Sequence, residues 1–242
     1  MNLSNRTALV TGSTDGIGVA IARALAAEGA RVLVSGRDTA RGEKVAAAIA
    51  EAGGQADFVR ADLAEGLSAA RALATEPIDI LVNNAAMLLA PQPTAEVAEE
   101  TIDRALAVNI KAAFLLTGLI APGMAARGHG AIVNLGSING LNGSAGSALY
   151  STTKAAMHSL TKSWADEYGP SGVRVNTVAP GPTTTEKTAK WDEHIAPLIA
   201  RAPSRRTSKP EEIAQAVVFL AGAHASNIHG ALLTVDGGFS AV

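Results

Sequence analysis

The chain has 242 residues and no cysteine. Disulfides and thiolate metal sites are therefore excluded. Aromatic residues make up 3% of the chain, and no segment interleaves them with lysine and arginine. With a formal net charge of −2, this argues against nucleic-acid and membrane-surface partners, which both call for a basic patch. No run of about 18 apolar residues is free of charge, which is the length a bilayer-spanning helix requires. The start, MNLSNRTALVTG, shows no apolar leader core behind a basic flank. Among the five histidines, His129, His158, His194, His224 and His229, no pair has the H-x-x-x-H spacing, so no metal site is expected. The expectation from these absences is a soluble, cytoplasmic protein.

What is present is an apolar fraction of 48%, enough for one sizeable α/β core. Short β-branched runs alternate with longer alanine-rich segments. Strands are expected at Thr7–Val10, Arg31–Ser35, Ala56–Arg60, Ile78–Val82, Ala131–Leu135, Val173–Val178 and Leu232–Val235. Most are continuous apolar runs, as parallel strands covered on both faces should be. Helical periodicity covers Ile17–Glu28, Thr39–Ala52, Ala95–Ala126, Ala148–Tyr168 and Pro210–Ala221. A break is expected at Pro122-Gly123, and Gly53-Gly54 is a stop signal. Strict alternation predicts an α/β fold with a doubly wound parallel sheet of about seven strands and right-handed crossovers. No linker divides it, so residues 1–242 read as one domain. Residues 181–209 carry no clear pattern, which suggests a substrate lid.

Two features carry chemistry. The first is TGSTDGIG, Thr11 to Gly18, between the first strand and the first helix. Glycines there admit a phosphate close to the backbone, and the helix start offers free N–H groups to an anion. Many strand–helix turns need a glycine cluster, so the motif alone is weak. The second is Tyr150 and Lys154, one helical turn apart on one face. In isolation the pair fits a tyrosine stem under a solvated lysine better than it fits a phenol activated by an ammonium. An ammonium beside the phenol would favour its ionised form and draw its pKa down from near 10.

With these motifs the chain resembles the short-chain dehydrogenase/reductase family along essentially its whole length. Thr11-Gly12-x-x-x-Gly16-x-Gly18 matches the family's cofactor turn, which also contains Ser13, Asp15 and Ile17. Asp62, followed by Leu63 in RADL, matches the aspartate that holds the adenine amino group. Asn83-Asn84-Ala85 matches an N-N-A-G segment, with Ala86 in place of glycine. Asn109 in LAVNIKAAF and Ser137 in IVNLGSING match a catalytic asparagine and serine. Pro180-Gly181 and LLTVDGG complete the set, and Thr183 and Thr185 resemble the segment that meets the cofactor carboxamide. The stretch between Asp62 and Asn83 is short for the family, so its helix is expected to be truncated.

The resemblance implies a Rossmann-type NAD(P)-dependent oxidoreductase acting on a small-molecule carbonyl or alcohol. Tyr150 would be the general acid/base, and Ser137 would hold the substrate oxygen. Lys154 would also bind the nicotinamide ribose, and Asn109 would hold a water linking Lys154 to solvent. The cofactor would further meet Gly12, Gly16, Gly18, Asn83, Ala85, Pro180 and the residues just named. NADP(H) is expected over NAD(H): Gly36 stands where NAD-preferring relatives place an acid, and Arg37 suits a phosphate. Asp15 in the glycine turn and Asp38 beside Arg37 pull the other way. The resemblance also implies a homotetramer, and 3-oxoacyl carrier-protein reduction is one family activity it includes. Basic candidates for a carrier surface, Arg127, Arg201, Arg205 and Arg206, are scattered. Trp191 and His194 fall in the expected lid and could touch substrate, while Asn139, Asn142, Ser144 and Ser147 suggest polar pocket contacts. The contrasting expectation is a dinucleotide sensor that keeps the fold without catalysis.

Overall fold

In a computed structural model, residues 2–188 and 192–242 are described, with 192–194 by backbone alone. Seven strands pair in parallel: β1 (Thr7–Val10), β2 (Arg31–Gly36), β3 (Gln55–Arg60), β4 (Ile80–Asn83), β5 (Gly130–Leu135), β6 (Val173–Pro180) and β7 (Leu232–Val235). Their order is β3-β2-β1-β4-β5-β6-β7. β1 pairs with β2 on one side, through Leu9 and Leu33, and with β4 on the other, through Leu9 and Leu81. The chain direction of travel across the sheet therefore reverses between β1 and β4. A crevice opens at the strand C-termini at such a switch point.

Alternation along each strand sends neighbouring side chains to opposite faces. Val10, Val34 and Val82 pack with Ile21 and Leu25 of α1 (Gly16–Ala27), Ile49 of α2 (Thr39–Glu51) and Val217 of α8 (Pro210–Ala221). On the other face, Leu9, Leu33, Leu81 and Ile132 pack with Leu73 of α3 (Leu67–Leu73), Leu116 of α5 (Ala112–Arg127), and Met157 and Trp164 of α6 (Ala148–Tyr168). Helices cover both faces, as the near-continuous apolar strands require. This is a Rossmann-type sheet. The helix between β3 and β4 is short, spanning seven residues, as expected from the shortened segment.

Three expectations need correction. The segment read as Ala95–Ala126 starts later, at Glu99 in α4 (Glu99–Leu106), and passes through a π-helical turn, Ala107–Lys111, into α5. Pro122 lies inside α5 and does not break it. This continuous helical run, Glu99–Arg127, is long and apolar enough to cross a membrane by length and composition, although its uncharged stretch, 112–126, stays short of 18 residues. One face of the run, with Ala105, Ala112, Leu116, Ala121 and Met124, is buried within the fold. Finally, residues 181–209 are not patternless: they contain α7 (Asp192–Arg201). Trp191 lies outside the described residues, as does the His194 side chain.

The far end of α8 is tied to the sheet by one side chain. The Arg174 guanidinium on β6 donates to the carbonyls of Leu220, Ala221, Gly222 and Ala225. These include acceptors left unpaired by the end of the helix. Arg174→Met keeps the apolar stem and removes the donors, so it should lower stability by about 2 kcal/mol. Urea denaturation would measure this.

Candidate active site

At the C-terminal end of β1 the chain turns through Thr11–Gly18. Gly12 has φ +63°, and a Cβ there would stand 2.8 Å from the Ala85 Cα. A Cβ on Gly18 would stand 2.3 Å from the Gly12 carbonyl oxygen and 2.7 Å from the Asn84 Nδ2. Two backbone segments are thus nested without room for side chains. Hydrogen bonds lock them. The Thr11 hydroxyl accepts from the backbone N–H groups of Asn84 (3.0 Å) and Ala85 (3.1 Å). The Asn84 amide donates to the carbonyls of Thr11 (2.8 Å) and Gly12 (3.0 Å). Asp15, Gly16, Ile17 and Gly18 at the start of α1 line a cavity of about 1120 Å³. Asp15 does not cap α1 with its side chain, so the helix start faces the cavity with its N–H groups available to an anion.

Asp15 instead spends its charge across the cavity mouth. Its carboxylate lies 2.8 Å from Lys187 Nζ and 3.9 Å from Arg41. Thr185 leans over Gly16, with its Cγ2 3.6 Å from where a Cβ would be. Pro180, Thr183 and Thr185 all line the cavity. Arg37, Arg41, Asp62 and Leu63 line the same cavity. The Asp62 carboxylate accepts from the Ala64 N–H at 3.1 Å. A Cβ on Gly36 would lie 2.5 Å from the Thr14 Cγ2. An acidic side chain there would displace Thr14.

Ser137, Tyr150 and Lys154 line the cavity together. Ser137 follows β5 by two residues in extended conformation, and its hydroxyl accepts from the Asn139 N–H at 3.1 Å. Tyr150, in the first turn of α6, shares a hydrogen bond with Ser137. Lys154 is 4% exposed, and its Nζ donates to the Leu135 carbonyl at 2.8 Å. That ammonium lies 5.6 Å from the centre of the Tyr150 ring.

The expected electrostatics need correction. Loss of solvent pushes the Tyr150 phenol up to about 12, although the Ser137 hydrogen bond works against the rise. Burial pulls Lys154 down to about 8. Tyr150 is therefore protonated at neutral pH, and Lys154 carries its charge below about 8 and loses it above.

Three residues expected at the site lie behind its wall. The buried Ser13 hydroxyl donates to the Val10 carbonyl and accepts from the Ser35 N–H, tying β1 to β2. Asn83 lies on a central strand and donates to Asn134 on β5 (2.9 Å). Its neighbour Asn84 faces the cavity instead, because successive strand residues point opposite ways. Asn109 sits in the π turn, where its side chain accepts from the Met87 N–H (2.6 Å) and donates to the Met87 carbonyl and Thr153 (3.2 Å each). Its amide clamps the 84–88 loop to α6. Of the four polar residues expected in the pocket, Asn139 lines it, whereas Asn142 turns back to the Ile138 carbonyl. Thr14, Asn84, Arg41 and Lys187 were missed. Thr14 and Asn84 were visible inside the motifs, Arg41 follows Arg37 by one turn of α2, and no local signal pairs Lys187 with Asp15.

Comparison with known proteins assigns the class. A family model described as Enoyl-(Acyl carrier protein) reductase matches residues 12–240. The chain is 40% identical over 244 residues to cis-4-hydroxycyclohexanecarboxylate dehydrogenase of Sinomonas cyclohexanicum, covering 99% of this chain and 98% of that one. A solved structure described as a short chain dehydrogenase/reductase family protein matches with a TM-score of 0.93 at 46% identity over the full length of both chains. Another, described as an NAD(P) dependent gluconate 5-dehydrogenase from Beutenbergia cavernae with NADP bound at low occupancy, matches with a TM-score of 0.94. Its identity is 41%, over 100% of this chain and 99% of that one. With this fold, these likenesses define an NAD(P)-dependent oxidoreductase. The chain belongs to the short-chain dehydrogenase/reductase family.

The position of Lys154 generates a direct expectation. Its side chain should titrate near pH 8, well below a solvated lysine. Carbon-13 NMR of the labelled lysine Cε, assigned through Lys154→Arg, would show a normal midpoint if the ammonium were solvated.

Proposed function

We propose that the protein transfers a hydride between NADP(H), in preference to NAD(H), and a small-molecule carbonyl/alcohol pair, with Tyr150 as general acid/base. The observation that carries this reading is the convergence of Ser137, Tyr150 and Lys154 on the cavity that the glycine turn also lines. The cofactor fits that cavity: Gly12, Gly16 and Gly18 line it with bare backbone, and the α1 start offers N–H groups for the pyrophosphate. Gly16, Ile17, Asp62, Leu63, Ala85, Pro180, Thr183 and Thr185 would complete its binding wall.

The nicotinamide supplies or accepts the hydride when bound. The remaining work falls to the chain's own side chains. In the reductive direction, negative charge grows on the substrate oxygen, and the protonated Tyr150 hydroxyl donates to it. Ser137 accepts the Asn139 N–H at its oxygen, which leaves its hydroxyl proton to share between Tyr150 and the substrate oxygen. Lys154 holds a positive charge one helical turn from the phenol and stabilises the phenolate left after donation. In the oxidative direction Tyr150 accepts the alcohol proton, and its raised pKa makes this the step that needs alkaline pH. Asn109 contributes by fixing the Met87 loop against α6.

Arg37 and Arg41, which line the cavity, support the NADP preference, since a guanidinium fork suits a 2′-phosphate. Of the two features that opposed it, Asp15 is offset by Lys187 at 2.8 Å, and the Asp38 carboxylate accepts from the Arg41 N–H. Apolar residues left exposed on α4 and α5, including Ile102, Leu106, Phe114 and Leu119, support a homotetramer joined through these helices.

A panel of ketones, aldehydes and 3-oxoacyl thioesters, followed by NADPH and NADH absorbance, tests the reading. Tyr150→Phe should lower kcat by roughly 10²–10⁴-fold with cofactor affinity nearly intact. Near wild-type turnover would remove Tyr150 from the chemistry. Arg37→Ala should raise KM for NADPH roughly tenfold, the loss of one charge-assisted contact, and leave NADH nearly unchanged. Equal losses with both cofactors would show that Arg37 does not read the phosphate.

A further inference from the structure

His158 lies one turn beyond Lys154 and two beyond Tyr150 on α6, and nothing in the mechanism above uses it. It is 8% exposed. The loop that carries Ser137 is built directly on its ring. Cβ atoms on Gly136 and Gly140 would stand 2.3 Å from its Nε2 and 2.5 Å from its Cε1. Only glycine lets the backbone approach an imidazole from both sides of Ser137 this closely. The Ser137 N–H lies 3.4 Å from His158 Nε2. The other ring nitrogen, Nδ1, is buried without a hydrogen-bond partner among the described residues.

A backbone N–H can only donate, so Nε2 must be unprotonated to receive it, and the ring proton then sits on Nδ1. We propose that His158 is a positioning residue for hydride-transfer chemistry: its neutral imidazole accepts the Ser137 N–H and holds the serine loop so that the hydroxyl meets Tyr150. The proposal rests on the roles given above to Ser137 and Tyr150. The chain of contacts is continuous. His158 holds the Ser137 backbone, the Asn139 N–H occupies one lone pair of the Ser137 hydroxyl, and the hydroxyl is thereby turned to Tyr150. The surroundings keep Nε2 an acceptor. Burial, with the positive charges of Lys154 and Lys162, pulls the imidazole down to about 4, against a smaller opposing effect of the Gly140 backbone. A protonated ring would turn a second donor against the Ser137 N–H.

Two variants of equal length separate positioning from packing. His158→Gln keeps an acceptor that can reach Ser137, and His158→Met does not. With a carbonyl substrate from the panel, His158→Gln should stay within about threefold of wild-type kcat, and His158→Met should lose roughly tenfold. Cofactor affinity, read by fluorescence titration, should be equal in both. Because the Ser137 contact lowers the Tyr150 pKa, the alkaline rise of alcohol oxidation should move to higher pH in His158→Met and remain in place in His158→Gln. Equal kcat and equal pH profiles in the two variants would overturn the proposal, whether both are active or both impaired. If Tyr150→Phe is inactive while these two match, only the role of His158 fails; an active Tyr150→Phe rejects the underlying mechanism instead. Nitrogen-15 NMR of the wild-type imidazole gives a reading independent of folding in the variants. A proton on Nδ1 with Nε2 bare is expected, and a proton on Nε2 would overturn the proposal.

Discussion

A lysine ammonium held inside a protein is costly unless its surroundings are fixed around it. Lys154 is such a charge, and its acceptor is the Leu135 carbonyl at the end of β5. That contact requires α6 to lie hard against the sheet at one height. A buried ladder sets the height: Asn83 donates to Asn134, Asn134 to Thr161 on α6, and Thr161 meets Thr177 on β6 at 2.6 Å. Met157 and Trp164 supply the apolar part of the same seam. With helix and strand so registered, Tyr150 reaches Ser137, and the lysine charge helps keep His158 neutral. The placement of Ser137, Tyr150 and His158 around the cavity is a consequence of where one charge can be tolerated.

The opposite wall of the cavity is fixed by backbone proximity. Thr11 and Asn84 stitch the turn after β1 to the end of β4, and Gly12 and Gly18 let the two chains touch. The π turn at Ala107–Lys111 serves the same loop from behind. An extra residue in a helical turn re-aims side chains, and here Asn109 reaches Met87 and Thr153 at once. The departure from α-helical geometry thus coincides with the one place where a helix must hold a loop and a second helix together.

Much of the architecture was legible because strand and helix periods differ. All seven strands fall within about two residues of their expected ends, and α6 and α8 match their expected spans. The Glu99 start was blurred by the short helical turn at Thr94–Glu96 just before it. Pro122 was over-weighted: its ring is tolerated inside α5. Of the site residues expected on motifs, Gly12, Ser137 and Tyr150 line the cavity, whereas Ser13, Asn83 and Asn109 brace its wall from behind, since a string of letters does not say which way a side chain points. The charge of Asp15 was legible but its partner was not, because Lys187 is distant in sequence. The direction of the Tyr150 shift was lost for a different reason: spacing brings Lys154 near, but it does not show how far burial strips solvent from the phenol.

The strand order has a consequence for biogenesis. β1 leaves the ribosome before β2 and β4 but lies between them, so one of its edges waits for Leu81 to be made. The Thr11 hydroxyl waits for Asn84, and the Gly181 N–H waits for the Val235 carbonyl on β7. Contacts this distant in sequence close slowly. A nascent chain therefore has no complete dinucleotide cleft until β7 has been translated. Capture of cofactor is thus a signature of a finished molecule, and it would withdraw finished molecules from the unfolding equilibrium by mass action.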